Sequence, residues 1–165
     1  MLIILAGLPG SGKSTVGREL ARRLAVIYLR IDTMEQAIIR SSLGVETAEE
    51  AGYLAGYGVA VDNLRLGRTV IADSVNPVEE SRTGWRAAAA EAGCEAIDVE
   101  MICSDAVEHR RRVETRATDI KGLTLPTWQD VMDREYVPWD RDHVVVDTAG
   151  KTIDDCIDEL LAHLP

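Results

Sequence analysis

The chain is expected to fold as an α/β protein, a three-layer sandwich with helices on both faces of a parallel sheet. Short apolar or β-branched runs alternate with helix-period segments along nearly the whole length, which implies parallel βαβ units with right-handed crossovers. At the amino end, Leu2-Ile3-Ile4-Leu5-Ala6 runs straight into Gly-Leu-Pro-Gly-Ser-Gly-Lys-Ser at 7–14 and then into a helical pattern. That octet fits G-x-x-x-x-G-K-[ST] at every fixed position, in the strand–loop–helix context the motif requires. Binding therefore belongs at the carboxyl ends of the strands.

The elements follow in order. A strand over 2–6 is succeeded by a helix over 13–24. A second strand covers 26–31, and a helix over 33–43 stops at Gly44. Thr47, with Glu50 placed for a capping box, opens a longer helix to about Leu66, although Gly52, Gly56 and Gly58 weaken an unbroken one. Thr69 to Asp73 is a buried strand, and Pro77 starts the helix that ends near Gly93. Ala96 to Ile102 is the fourth strand, Ser104 caps a helix through Arg116, Val144 to Asp147 is the fifth strand, and Thr152 to Leu164 closes the fold.

Length and composition narrow the function. The 165 residues suffice for one domain with a real core, here residues 1–165, with a small lid at about 110–127. No apolar run reaches membrane-span length, and Met1 leads almost directly into the first strand, so neither a span nor a signal peptide is expected. Cys94, Cys103 and Cys156 are far apart and lack metal-ligand spacing, as suits reduced thiols in the cytoplasm. The net charge of −10 argues against a long nucleic-acid partner, because phosphate neutralisation needs a basic face.

The Gly7–Ser14 motif carries the chemistry. Its backbone N–H groups, from Gly7, Leu8, Pro9, Gly10, Ser11 and Gly12 onward through Thr15, would form a cradle for phosphates; proline itself contributes only its carbonyl and its fixed φ. Lys13 would reach the β- and γ-phosphates of ATP, and the Ser14 hydroxyl would bind Mg²⁺. Asp32, ending the second strand, is either a general base for an attacking hydroxyl or an N-cap for the next helix. Asp73, ending the third, either orients a water on Mg²⁺ in the manner of a Walker B aspartate or bonds local backbone as a turn residue.

Arg112 and Arg116, four apart on one helix, either present two forks to phosphate oxygens or belong to a solvated face with Glu108 and Glu114; Arg111 is placed to face the adenine. The turn holding Ala149 and Gly150 could lie along the adenine with backbone groups reading its edge. Arg40 and Arg82 are weaker candidates for gripping an acceptor and otherwise surface residues. Trp128, Tyr136, Pro138 and Trp139 read first as packing of the lid hinge against the core. His109, His143 and His163 show no metal spacing and are given no catalytic role.

Leu-Ala-Gly-Leu-Pro-Gly-Ser-Gly-Lys-Ser-Thr at 5–15, Arg30-Ile31-Asp32 and the arginine-rich lid resemble the small P-loop kinases, in particular the zeta-toxin-like, chloramphenicol-phosphotransferase-like and phage polynucleotide-kinase-like enzymes. The resemblance implies a five-stranded parallel sheet in the order 2-3-1-4-5 and transfer of the ATP γ-phosphate to a hydroxyl. It also implies Asp32 as base, with Arg112 and Arg116 as transition-state clamps. The shikimate kinase pattern, paired aspartates after strand two and a glycine triplet after strand three, is absent. Three readings follow: a kinase of small-molecule hydroxyls, a kinase of nucleic-acid 5′-hydroxyls, and a nucleotide-binding switch or ATPase without an acceptor.

Overall fold

A computed structural model describes residues 1–164. Strands β1 (Leu2–Ala6), β2 (Ile27–Arg30), β3 (Val70–Asp73), β4 (Ala96–Ile102) and β5 (Val144–Asp147) form one parallel sheet in the order β2-β3-β1-β4-β5. Every residue of β1 is fully buried, as a central parallel strand requires. Its side chains alternate between two cores. Ile3 and Leu5 pack with Val16 and Leu20 of α1 (Lys13–Leu24) and with Ile157 and Leu160 of α7 (Ile153–Leu161). Leu2 and Ile4 face the opposite side, against Ala60 and Leu64 of α3 (Ala51–Arg65) and Trp85 of α4 (Glu79–Glu91). The period of two thus produces the three layers, each buried Leu or Ile contributing about 1.5–3 kcal/mol. No helix among the described residues is long and apolar enough to cross a membrane.

Several helix starts differ from the sequence reading. The second helix, α2 (Ile31–Ile39), begins at the residue after β2, so Asp32 sits in its first turn and the cap position falls to Arg30. Asp32 therefore neither ends the strand nor caps the helix. The Thr47–Glu50 capping box does not form: Glu49 takes a positive φ of 46°, and α3 starts at Ala51. That helix runs unbroken despite its glycines. A Cβ on Gly56 would lie 2.4 Å from Ile31 Cδ1 and 3.0 Å from a Trp85 ring carbon, so the absent side chain is what lets α3 pack closely. Asp105, not Ser104, caps α5 (Ala106–Thr115), accepting from the Val107 and Glu108 N–H groups, while Ser104 bonds Asp147. A short helix, α6 (Trp128–Met132), has a Thr127–Asp130 capping box that the sequence reading passed over.

In-register pairing brings the strand ends together. Leu5 and Arg30 both stand opposite Asp73, which puts the Gly7 loop, Arg30 and Asp73 side by side at the carboxyl end of the strands. Between α5 and α6, residues 116–127 run without regular structure over this end.

Candidate active site

The Gly7–Ser14 loop has the backbone its glycines predict. Gly7, Gly10 and Gly12 have φ of 140°, 86° and 95°. A Cβ at Gly10 would lie 2.5 Å from Val113 Cγ2, so both the backbone region and the space exclude a side chain there. Two outside supports hold the loop. His109 is buried and its Nε2 is 2.9 Å from the Pro9 carbonyl, the geometry of an N–H donating to it, with the ring packed edge-on to Trp128. Thr148 Oγ1 donates to the Ser11 carbonyl at 2.8 Å. Gly7 N–H donates to Val75 O, joining the loop to the segment after β3. No role for His109 was legible from its place in the sequence. Its signal would have been a helical histidine 100 residues from the loop, which only the fold connects.

Two cavities meet at this loop. One, of about 420 Å³, runs from Gly10, Gly12 and Thr15 to Arg112, Thr148 and Ile153. The other, of about 680 Å³, lies between Asp32 and Glu35 of α2, Tyr53 and Tyr57 of α3, and Ser74 and Pro77 after β3. Lys13, Ser14, Arg30, Arg116 and Leu125 line both. The 116–127 segment covers the junction, contributing Thr118 and Asp119 to the first cavity and Thr124 and Pro126 to the second.

The junction is built for an anion. Lys13 is buried, and the Nε atoms of Arg30 and Arg116 are buried with no hydrogen-bond partner. Burial opposes the Arg116 charge, the Asp32 carboxylate supports it, and Arg30 and Arg134 work against it. A guanidinium stays charged regardless, so each buried Nε is a donor that no described residue satisfies, although Arg30 is already paired with Asp119 through its Nη1. Asp119 spans Arg18 and Arg30 at 2.9 and 2.8 Å, tying the covering segment to α1 and β2. Arg30 is the residue at this junction that sequence reasoning did not single out, although it stands beside Asp32.

Asp73 is 2% exposed. Its Oδ2 accepts from the Tyr28 hydroxyl, its Oδ1 is buried without a partner, and it makes no local backbone bond. The turn-residue alternative is thereby corrected. Asn76 organises the turn instead, with φ 49°, its Nδ2 donating to Leu5 O and its Oδ1 accepting from Trp85 Nε1. The orphaned oxygen of Asp73 suits a Mg²⁺ ion reached through water, although the buried carboxylate lines neither cavity itself.

Other candidates are distributed differently from expectation. Arg112 lines only the first cavity, and its guanidinium is engaged by Thr148 Oγ1, the Thr148 carbonyl and Glu108. Arg111 lines neither cavity and is 68% exposed, with Glu108 at 3.9 Å. The N–H of Ala149 goes to Asp147 and that of Gly150 to Glu108, so of the backbone groups in this turn only the carbonyls are left to meet a base edge. Arg82 is neither a surface residue nor an acceptor grip. It is fully buried, donates to the carbonyls of Asn76 and Val137, and lies 4.1 Å from the Trp139 ring centre and 5.3 Å from that of Tyr136. Tyr136 and Trp139 thus pack against the core through Arg82. Arg40 is exposed and lines neither cavity.

Comparison with known proteins agrees with this geometry. Structures of similar fold include the Mycobacterium tuberculosis APS kinase CysC in complex with AMPPNP and APS (TM-score 0.73, 22% identity, 98% of this chain and 95% of that one). Chaetomium thermophilum Kti12 in complex with ADP-AlF3 is another (TM-score 0.69, 21% identity, all of both chains). In sequence, the chain is 29% identical over 168 residues to a shikimate kinase of Frankia casuarinae, covering 99% of this chain and 72% of that protein. It is 32% identical over 101 residues to a UPF0200 protein of Aeropyrum pernix, where the match spans 52% of this chain and about half, 54%, of the relative. The family model AAA_33, described as an AAA domain, matches residues 2–135. That match spans well over half of the chain, and the chain belongs to the AAA_33 family.

Proposed function

We propose that this protein is an ATP- and Mg²⁺-dependent phosphotransferase that moves the γ-phosphoryl group to a hydroxyl of a small molecule. The observation that carries the reading is the meeting of two cavities on Lys13, Ser14, Arg30 and Arg116, with Asp32 on the side away from the adenine end. A nucleotide in the first cavity would direct its terminal phosphate at that junction, and a hydroxyl in the second would approach it from the opposite side. An ATPase or switch needs only the first cavity.

In this reading the loop N–H groups and Lys13 hold the phosphates. Arg116, with Arg30 beside it, neutralises charge on the transferring oxygens, the step on which phosphoryl transfer chiefly depends. Asp32 accepts the proton of the attacking hydroxyl as the new O–P bond forms and the bond to the β-phosphate oxygen breaks, leaving ADP. Ser14 and, through water, Asp73 would hold the Mg²⁺, which supplies further charge neutralisation. Arg112 fixes Thr148 against the phosphate loop, with its guanidinium beside Gly12 and engaged by Thr148 and Glu108, so it supports the loop rather than clamping the transferring oxygens. The 116–127 segment excludes water from both cavities and so limits hydrolysis.

The relatives support the reading without naming an acceptor. The gluconokinase of Sinorhizobium meliloti shares the fold at TM-score 0.66 and 20% identity, the APS kinase shares it too, and the Frankia protein is a shikimate kinase. The test is a screen of hydroxyl compounds with ATP and Mg²⁺, products identified by mass. A phosphorylated small molecule is expected; steady ATP hydrolysis indifferent to every acceptor would overturn the proposal.

A further inference from the structure

The acceptor-side cavity carries charge that the transfer step leaves unused. Its Lys13, Arg30 and Arg116 also line the nucleotide cavity, where phosphate oxygens would engage them. Belonging to the acceptor side alone are the carboxylates of Asp32, Glu35, Glu50 and Glu80, against a single guanidinium, Arg134. Asp32 has its assigned task. Glu35 is half-buried, and its carboxyl is pushed above the usual range by burial and then by the Asp32 charge, with Arg134 opposing. No ion pair or side-chain hydrogen bond to Glu35, Glu50 or Glu80 occurs among the described residues. The same cavity is walled by Tyr53 and Tyr57, ring centres 6.1 Å apart and planes tilted by 56°. Aromatic faces attract ammonium groups, and so do unpaired carboxylates, here the half-buried Glu35 with the exposed Glu50 and Glu80 at the rim.

We propose that the acceptor is a cationic alcohol: a small molecule bearing an amine or ammonium group besides the hydroxyl that is phosphorylated. Glu35, Glu50 and Glu80 are the specificity-determining residues, and the Tyr53 and Tyr57 rings complete the cation's surroundings. The inference rests on the phosphotransferase reading for which group reacts. The hydroxyl oxygen forms the new bond to phosphorus and its proton passes to Asp32, while the amine stays protonated and unreacted. With the phosphates engaging Lys13, Arg30 and Arg116, an anionic acceptor would meet an excess of like charge that Arg134 offsets only in part, so the cavity selects by repulsion as well as attraction.

The test uses acceptor sets matched in size and differing in charge: glucosamine, glucose and glucuronate, and ethanolamine, ethylene glycol and glycolate. Transfer from labelled ATP is measured alongside calorimetric binding to the protein loaded with Mg²⁺ and AMPPNP. Within each set the cation is expected first and the anion last, by about tenfold or more from end to end. Glu35→Gln should compress that spread while leaving AMPPNP affinity within roughly twofold; Glu80→Gln, at an exposed position, gives the same direction without disturbing packing. A neutral or anionic member favoured in either set, or a spread that survives both substitutions, would overturn the proposal. If no member is phosphorylated yet binding still ranks the cations first, the phosphotransferase reading fails and the charge preference stands. Binding that is absent or ranks otherwise removes the charge preference itself.

Discussion

The cavity proposed for the nucleotide is built around one stretch of chain, Gly10 to Val16, over which α5, residues 115–125 and residues 148–156 close, whereas the cavity proposed for the acceptor is walled chiefly by side chains from α2, α3, the segment after β3 and the segment 116–134. The first depends on backbone N–H groups held by a loop that only glycines can form. The second depends on which side chains distant elements happen to bring together. A backbone cradle is therefore shared widely, while the acceptor wall can change without disturbing the fold. The one place where both constraints act is the junction at Lys13, Arg30 and Arg116.

The largest effect should come from that junction. Lys13→Ala is expected to lower kcat/KM by about a hundredfold or more, since it removes a buried cation from the transferring phosphate. A loss below about tenfold would place the reacting phosphate elsewhere. Next, Arg116→Ala and Arg112→Ala should separate the two cavities. The first should depress kcat by about tenfold to a hundredfold, and the second should act mainly on nucleotide KM, because Arg112 is bonded to Thr148 and Glu108. Equal effects on kcat would restore the paired-clamp arrangement. Gly10→Ala tests the cradle alone. With φ at 86° and Val113 Cγ2 in the way, it should cost about 1–3 kcal/mol of stability in a denaturant titration and weaken ADP binding. The smallest change is expected from Asp119→Asn, whose ion pairs are largely exposed. It should alter kcat/KM by about twofold, and the difference should shrink further in high salt.

The legibility of the sequence divides along the same line. The strand, loop and helix over 2–24 are consecutive, so their pattern and chemistry could be read together. The alternation of five strands with helices was also visible, as was Asp32 beside the second strand's end. What escaped was decided at long range. Arg82 looks like a surface helix residue until Tyr136 and Trp139, more than fifty positions later, close over it. His109 touches Pro9 only because α5 packs on the loop. Arg111 and Arg112 are neighbours with opposite fates because one points at Thr148 and the other at solvent. The α2 start failed locally: Asp32 has the character of a cap, but the helix geometry already begins at Ile31.

The most direct measurement follows γ-labelled phosphate from ATP in wild type and in Asp32→Asn, with the acceptor found by the screen present in both. The account predicts label in the acceptor for wild type, a fall of about a hundred- to ten-thousandfold in the variant, and nearly unchanged ADP affinity. Label released only as inorganic phosphate, at the same rate in both proteins, would contradict it.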